Sequence, residues 1–328
     1  MPLFGTQCLF ELPKEDNNMQ ITLAPMEGVV DSLMRDMLTR VGGYDLCVTE
    51  FIRIVDQLLP KRVFHRICPE LLNGAKTPAG TPVRVQLLGQ HPDWLAENAA
   101  RAIDLGSFGV DLNFGCPAKT VNKSKGGAVL LQEPDTIYRI MSAVRQAVPK
   151  GNIVSAKMRL GFADTSLAIA NAQAIAASGA DLLVIHARTK TDGYKPPAYW
   201  EWIAKIKQHV DIEIIANGEI WSAQDASACQ QQSQCQNLML GRGALAMPNL
   251  ALVAKGMAEP MPWSEVRQLL VDYSGYELYS EKEKYFPNRI KQWLGYLNRQ
   301  YSEANELFVK IRTLHNAQAI LQHLKYTE

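Results

Sequence analysis

IVSAKMRLG at 153–161, LLVIHAR at 182–188, IEIIANG at 212–218 and LMLG at 238–241 decide the fold of this chain. Each is a short, near-continuous apolar run, and a longer amphipathic run lies between one and the next. Strands of that kind alternating with helices belong to a parallel sheet covered on both faces. Four more such runs lie upstream, ITLAP (21–25), LCVTEF (46–51), VRVQLLG (83–89) and GVDLNFG (109–115). Helical spacing separates them. Residues 92–105 carry Trp94, Leu95, Ala99, Ala102 and Ile103, residues 135–148 carry Ile137, Ile140, Met141 and Val144, and an Ala-rich run covers 165–178. Eight strands in roughly 220 residues fit an α/β fold of the (β/α)8 TIM-barrel type better than an open sheet.

The pattern changes after Pro248. MAEPMPW (257–263) reads as a linker, and the runs 264–279, 286–301 and 303–324 are helical. The expected organisation is an N-terminal extension at 1–18, a barrel domain at 19–255 and a small all-helical domain at 262–328. An irregular insert at about 56–82 carries Lys61, Arg62, His65, Arg66 and Cys68.

Composition narrows the function. The chain is 47% hydrophobic and 20% charged, enough to bury a sizeable core. Thirty-four Lys and Arg against 33 Asp and Glu leave a net charge of +1, so any nucleic-acid contact must come from local patches. The six cysteines, at 8, 47, 68, 116, 229 and 235, have neither zinc spacing nor a disulfide framework, and no metal is expected. There is no signal-peptide pattern and no uninterrupted apolar run long enough for a membrane span. A cytoplasmic monomer is expected.

Barrel chemistry gathers at the C-terminal ends of the strands. The polar residues there are Glu27 after the first strand, Glu50 and Arg53 on the second, Gln86 on the third and Asn113 and Cys116 on the fourth. Lys157 and Arg159 follow on the fifth, His186 and Arg188 on the sixth, Asn217 and Glu219 on the seventh and Arg242 on the eighth. Strands 3 to 7 each interrupt an apolar run with a polar residue, which packing alone does not require. Asn217-Gly218-Glu219 and Gly241-Arg242-Gly243 sit where barrels bind phosphate, although two ordinary tight turns would read the same way.

Lys157 interrupts an apolar strand. It is a Schiff-base nucleophile, a fixed cation facing an electron-rich ring, or half of a buried ion pair with Glu50 or Glu27; the residues leave all three open. Cys116 lies between Gly115, which permits an unusual backbone, and Pro117, which stops the ladder. A thiol so presented can act as an acid or a nucleophile. His186 reads equally as a satisfied core residue and as a ligand donor. Arg289, Lys291, Trp293, Tyr296, Arg299 and Arg312 interleave bases with aromatics at helical spacing. That is either a nucleic-acid-binding face or an amphipathic helix whose aromatic stripe packs inward.

APMEGV (24–29), VQLLG (85–89), DLNFGCPAKTV (111–121), KMRLG (157–161), HARTK (186–190), ANGEI (216–220) and GRGAL (241–245) occur in this order. Together they closely resemble the tRNA-dihydrouridine synthases, over about 21–255. CVTEFIRIVDQLLP (47–60), VFHRICPE (63–70) and RIKQWLGYL (289–297) are similar to the C-type bacterial subfamily, which modifies uridine 16 in the D loop of tRNA. The run KSKGGAVLL (123–131) departs from the glycine-richer stretch usual after the cysteine.

The resemblance implies FMN at the barrel mouth and NADPH as reductant. Pro25, Met26 and Glu27 would line the flavin, and Gln86 and Lys157 would bond its ring. His186, Asn217, Gly218, Glu219, Gly241 and Arg242 would hold its ribityl chain and phosphate. Cys116 would be the general acid, and Asn113 and Arg159 would face the uracil. Arg53, Tyr194, Arg289, Lys291, Tyr296 and Arg312 match tRNA-gripping positions. Three other readings compete: a small-molecule FMN barrel of the dihydroorotate-dehydrogenase type, a non-catalytic tRNA-binding barrel, and a Lys157 Schiff-base aldolase.

Overall fold

The computed structural model describes residues 19–278 and 283–325. The expected extension at 1–18 lies outside them, as does the last residue of the run read as helix over 264–279.

All eight expected strands form: β1 (Ile21–Leu23), β2 (Leu46–Arg53), β3 (Val83–Leu88), β4 (Val110–Phe114), β5 (Val154–Arg159), β6 (Leu182–His186), β7 (Glu213–Asn217) and β8 (Leu238–Leu240). They pair in parallel and in chain order, and β8 returns to β1 to close the barrel. Between them run helices that include Pro92–Asp104 and Pro134–Ala147, each with proline in its first turn, where the missing N–H is not needed. Each turns its apolar stripe inward; Ile137, Ile140, Met141 and Val144 are all buried.

Side chains alternate across a strand, so every second residue points into the barrel. On five strands the inward set includes Ala24, Val48, Val184, Ile215 and Met239, which form an apolar plug. β3, β4 and β5 instead place Arg84 and Gln86, Asp111 and Asn113, and Ser155 and Lys157 at alternating positions. Their registers align Gln86 with Asp111, Asp111 with Ser155 and Asn113 with Lys157. The barrel therefore has one polar flank. A register shift between β2 and β3 leaves a bulge at Thr49 and Glu50, where the Thr49 hydroxyl accepts the Gln86 N–H.

The expected irregular insert contains a helix, Lys61–Ile67, and a 3-10 turn, Pro69–Asn73. Both are held by Arg35, which is fully buried, donates to both Glu70 carboxylate oxygens at 2.8 and 2.9 Å, and also bonds the Ile67 and Val30 carbonyls. The fork geometry of a guanidinium suits that task.

The C-terminal region is helical, in the segments Trp263–Leu278, Phe286–Leu297, Ser302–Ile311 and Ala317–Lys325. The single helix expected over 303–324 is two. The first ends at Ile311, and Asn316 precedes the second, its Oδ1 accepting the Ala319 N–H as a cap. The helix Phe286–Leu297 packs on the short helix Arg242–Ala246, where the Trp293 indole donates to the Leu245 carbonyl at 3.2 Å. Trp293 is 2% exposed, so the inward reading of that aromatic is the one observed. Among the described residues no helix is long and apolar enough to cross a membrane.

Candidate active site

A cavity of about 780 Å³ opens at the C-terminal end of the barrel, within the usual range for a cofactor or small-molecule site. Every residue expected to contact a flavin lines it, from Pro25 to Arg242, as do Cys116, Asn113, Arg159, Tyr194 and Tyr296. The same cavity takes in Glu50, Phe51 and Trp221.

Lys157 donates to Oδ1 of Asn217 at 3.1 Å, and Asn217 in turn donates to the Met239 carbonyl at 2.7 Å. Among the described residues no carboxylate lies within ion-pair distance of Lys157, which removes the buried ion pair with Glu50 or Glu27. Burial, with the Arg159 charge adding to it, brings the amine down to about 8. Glu50 caps the backbone N–H of Gly28 instead. His186 is 8% exposed, and burial beside Arg159 and Lys157 holds it neutral, well below the usual histidine range. Its Nδ1 is buried without a protein partner. A neutral histidine with an unpartnered ring nitrogen, the Lys157 amine and the amides of Gln86, Asn113 and Asn217 line one cavity, a polar set that fits the acceptor-rich ring and polar tail of a flavin.

Cys116 is held by its backbone. Its N–H and that of Gly115 both donate to Asn113 Oδ1 at 2.9 Å. Its carbonyl accepts from Asn122 Nδ2 at 2.9 Å and from the Ala128 N–H at 3.1 Å. Gly115 was expected to supply the unusual backbone, but the glycine-only position is Gly127 (φ +68°), where a Cβ would sit 2.9 Å from the Cys116 carbonyl oxygen. Burial pushes the Cys116 thiol up, with the Ala118 N–H opposing that shift, so the thiol keeps its proton at neutral pH. Arg159, on the neighbouring strand β5, ties this loop to the one after β6, through the Gly115 carbonyl on one side and the Thr189 and Gly193 carbonyls on the other.

At the opposite wall Glu219 accepts from Arg188 and lies 3.3 Å from Arg242 and 3.8 Å from Arg299. Burial opposes its ionisation, but the Arg188 hydrogen bond and the charges of Arg188 and Arg242 outweigh that and hold the carboxyl below the usual range. Glu219 thus organises arginines. Arg242 lies 4.6 Å from the Tyr194 ring and 5.0 Å from that of Trp221. Gly243 allows the turn to close, since a Cβ there would lie 2.0 Å from the Ile220 carbonyl oxygen.

Four expected tRNA contacts lie outside this cavity. Arg53 lines a neighbouring cavity of about 300 Å³ with Lys123 and Lys125. Arg289 lines a third, of about 500 Å³, and donates to Asp31 at 2.8 Å and to the Tyr273 hydroxyl at 2.6 Å. Lys291 donates to the Leu314 carbonyl at 2.6 Å, and Arg312 is exposed. Sequence reasoning did not single out Trp221 or Asp111. Asp111 carries the same signal as Gln86 and Lys157, a polar residue inside an apolar strand run, whereas nothing local marks Trp221, whose arginine partners come from distant elements.

The family model described as "Dihydrouridine synthase (Dus)" matches residues 22–325. The chain belongs to the dihydrouridine synthase family. Eight curated relatives, 52–56% identical to it, are named tRNA-dihydrouridine(16) synthases. The relative from Shewanella oneidensis is 56% identical over 310 residues, covering 94% of this chain and 98% of that protein. The Vibrio cholerae relative is 53% identical, covering 93% and 95%, and the Haemophilus influenzae relative 54%, covering 92% and 97%. As a fold, this dihydrouridine synthase barrel is similar to the old yellow enzyme homologue of Zymomonas mobilis, with a TM-score of 0.51 at 12% identity over 74% of this chain and 90% of that one. The small-molecule dehydrogenase of the dihydroorotate type finds no support among these relatives of the synthase.

Proposed function

We propose that this chain reduces uridine 16 in the D loop of tRNA to 5,6-dihydrouridine, with FMN in the barrel-mouth cavity and NADPH as reductant. The carrying observation is that Cys116 and Lys157 face one cavity of flavin-like donor chemistry. The names of the relatives support tRNA as substrate and position 16 as target. A cytoplasmic place of work goes with that substrate.

FMN, when bound, would supply the hydride that goes to carbon 6 of the uracil. Gln86 and Lys157 would hold its ring, with the ammonium against the edge that gains negative charge. His186, Asn217, Gly218, Gly241 and Arg242 would take its ribityl chain and phosphate, with Glu219 fixing Arg242. Cys116 would deliver its proton to carbon 5, a role suited to a thiol that burial keeps protonated. Asn113 and Arg159 would orient a uracil turned out of its stack. Tyr194, at 52% exposure, and Tyr296 stand at the mouth as surfaces for bases. Arg53, Arg289, Lys291 and Arg312 would follow the tRNA backbone, which gives the charge pattern a local purpose.

The test is the visible spectrum of the purified protein together with a dihydrouridine map of tRNA from cells lacking and regaining the gene. Flavin bands and a loss confined to position 16 are expected. A colourless protein that takes up no flavin, or flavin bands with an unchanged map, overturns the proposal.

A further inference from the structure

We infer that Asp111 is a positioning residue: it anchors the accepting end of a buried hydrogen-bond relay that crosses β3, β4 and β5 and ends on the backbone of Cys116. The relay starts at Arg84, whose Nη1 donates to Ser155 Oγ at 3.1 Å. Ser155 Oγ donates to Asp111 Oδ1 at 2.6 Å. Gln86 Nε2 donates to Asp111 Oδ2 at 2.7 Å, and Asn113 Nδ2 donates to Gln86 Oε1 at 2.8 Å. Asn113 Oδ1 then accepts the Gly115 and Cys116 N–H groups, each at 2.9 Å.

For an ionised Asp111, which burial disfavours and the Ser155 and Gln86 hydrogen bonds favour, the direction of every bond is set from both ends. A guanidinium only donates, so Ser155 must receive from Arg84 and is left to donate to Asp111. A carboxylate only accepts, so Gln86 turns its NH2 to Asp111 and its oxygen to Asn113. At the far end two backbone N–H groups only donate, so Asn113 turns its oxygen to them and its NH2 to Gln86. Both ends demand the same orientation of both amides. Gln86 and Asn113 are therefore each left with one N–H not used by the relay, and both side chains line the cavity. Gln86, Asp111 and Ser155 are 0%, 1% and 0% exposed, so water cannot substitute for a lost partner there. The inference that the two remaining N–H groups serve flavin and uracil rests on the proposed function. The polarity of the relay does not.

Asp111→Asn can keep the Gln86–Asn113 part of the relay, with its oxygen toward Gln86 and its NH2 toward Ser155, whose hydroxyl then turns to the Val110 carbonyl at 3.4 Å. Asp111→Ala removes the acceptor at one end and leaves the Gln86 NH2 buried and unpaired, so the Gly115 and Cys116 N–H groups alone hold the two amides, which loosens the cap on Cys116. The experiment measures iodoacetamide labelling of Cys116, peptide by peptide, across pH in cofactor-free protein, and single-turnover dihydrouridine formation in flavin-loaded protein. Asp111→Ala is expected to change the Cys116 labelling rate at least threefold and to slow turnover at least tenfold, with tRNA affinity within twofold. Asp111→Asn is expected to stay within twofold of the parent in labelling and threefold in turnover. Labelling by Asp111→Ala that matches the parent overturns the inference. So does Asp111→Asn as damaged as Asp111→Ala, which would assign the effect to the Arg84 charge. If Asp111→Ala does not fold, Asp111→Asn still decides, since labelling beyond twofold from the parent overturns the relay. A parent that loads flavin but makes no dihydrouridine overturns the function while leaving the labelling result in force.

Discussion

The ammonium of Lys157 lies 3.1 Å from Oδ1 of Asn217, and that amide, not a carboxylate, is its hydrogen-bond partner. Burial, followed by the Arg159 charge, lowers the amine from 10.5 to about 8. Between those values the unfolded chain holds a proton that the folded chain has released. Stability of the flavin-free protein is therefore expected to rise with pH across that window, by this residue's contribution. Melting temperatures from pH 8 to 10.5 for the parent and Lys157→Met check it. The parent should gain relative to the variant, and identical pH dependence would refute the assignment.

Cys116→Ala is expected to fold and to bind flavin as the parent does, because the loop is held through backbone atoms. Dihydrouridine formation should fall by about a hundredfold or more, the usual worth of a general acid. Single-turnover kinetics with tRNA decide the matter, and a rate within twofold of the parent would remove Cys116 as the proton donor. Thiol labelling in the parent should reach half its maximum above pH 9.0, since burial raises this thiol from that value.

Arg299 lies 3.8 Å from the centroid of the Trp221 ring, which also faces Arg242 at 5.0 Å. Removing the ring by Trp221→Ala deletes two cation–π contacts, each worth about 0.5–1 kcal/mol where partly exposed. Arg242 then loses one of the rings that fix it. FMN affinity should weaken by about tenfold, measured by flavin fluorescence titration, while Arg299→Ala should weaken it less. Unchanged affinity in Trp221→Ala would separate Arg242 from the phosphate.

Arg289 joins the helix Phe286–Leu297 to the barrel through Asp31, which also caps the helix Ser32–Val41. The pair is mostly buried, so Arg289→Ala should cost about 2–4 kcal/mol of stability as well as tRNA affinity. Arg312 is exposed, and Arg312→Ala should weaken tRNA binding and its salt dependence with no change in melting temperature. Equal melting temperatures for parent and Arg289→Ala would make that residue a tRNA contact alone.

The sequence by itself determined the barrel. Eight apolar strands and the helices between them carry the periodicities of a covered parallel sheet, and their number favours a closed barrel over an open sheet, as the return of β8 to β1 bears out. It also picked out residues that line the cavity, because a polar residue such as Gln86 or Lys157 inside an apolar run has no packing reason to be there. Only the tertiary structure decided what those residues do to one another. Lys157 meets Asn217 from two strands away and no carboxylate, Arg289 spends its charge on Asp31, and Trp293 turns inward while Trp221 turns toward the arginines. The relay through Asp111 was equally hidden, since its donors and acceptors are neighbours in register on separate strands. Periodicity along a chain reports which face a side chain takes. The partner it meets depends on inter-strand register and helix docking, which are set by the packing of the whole core.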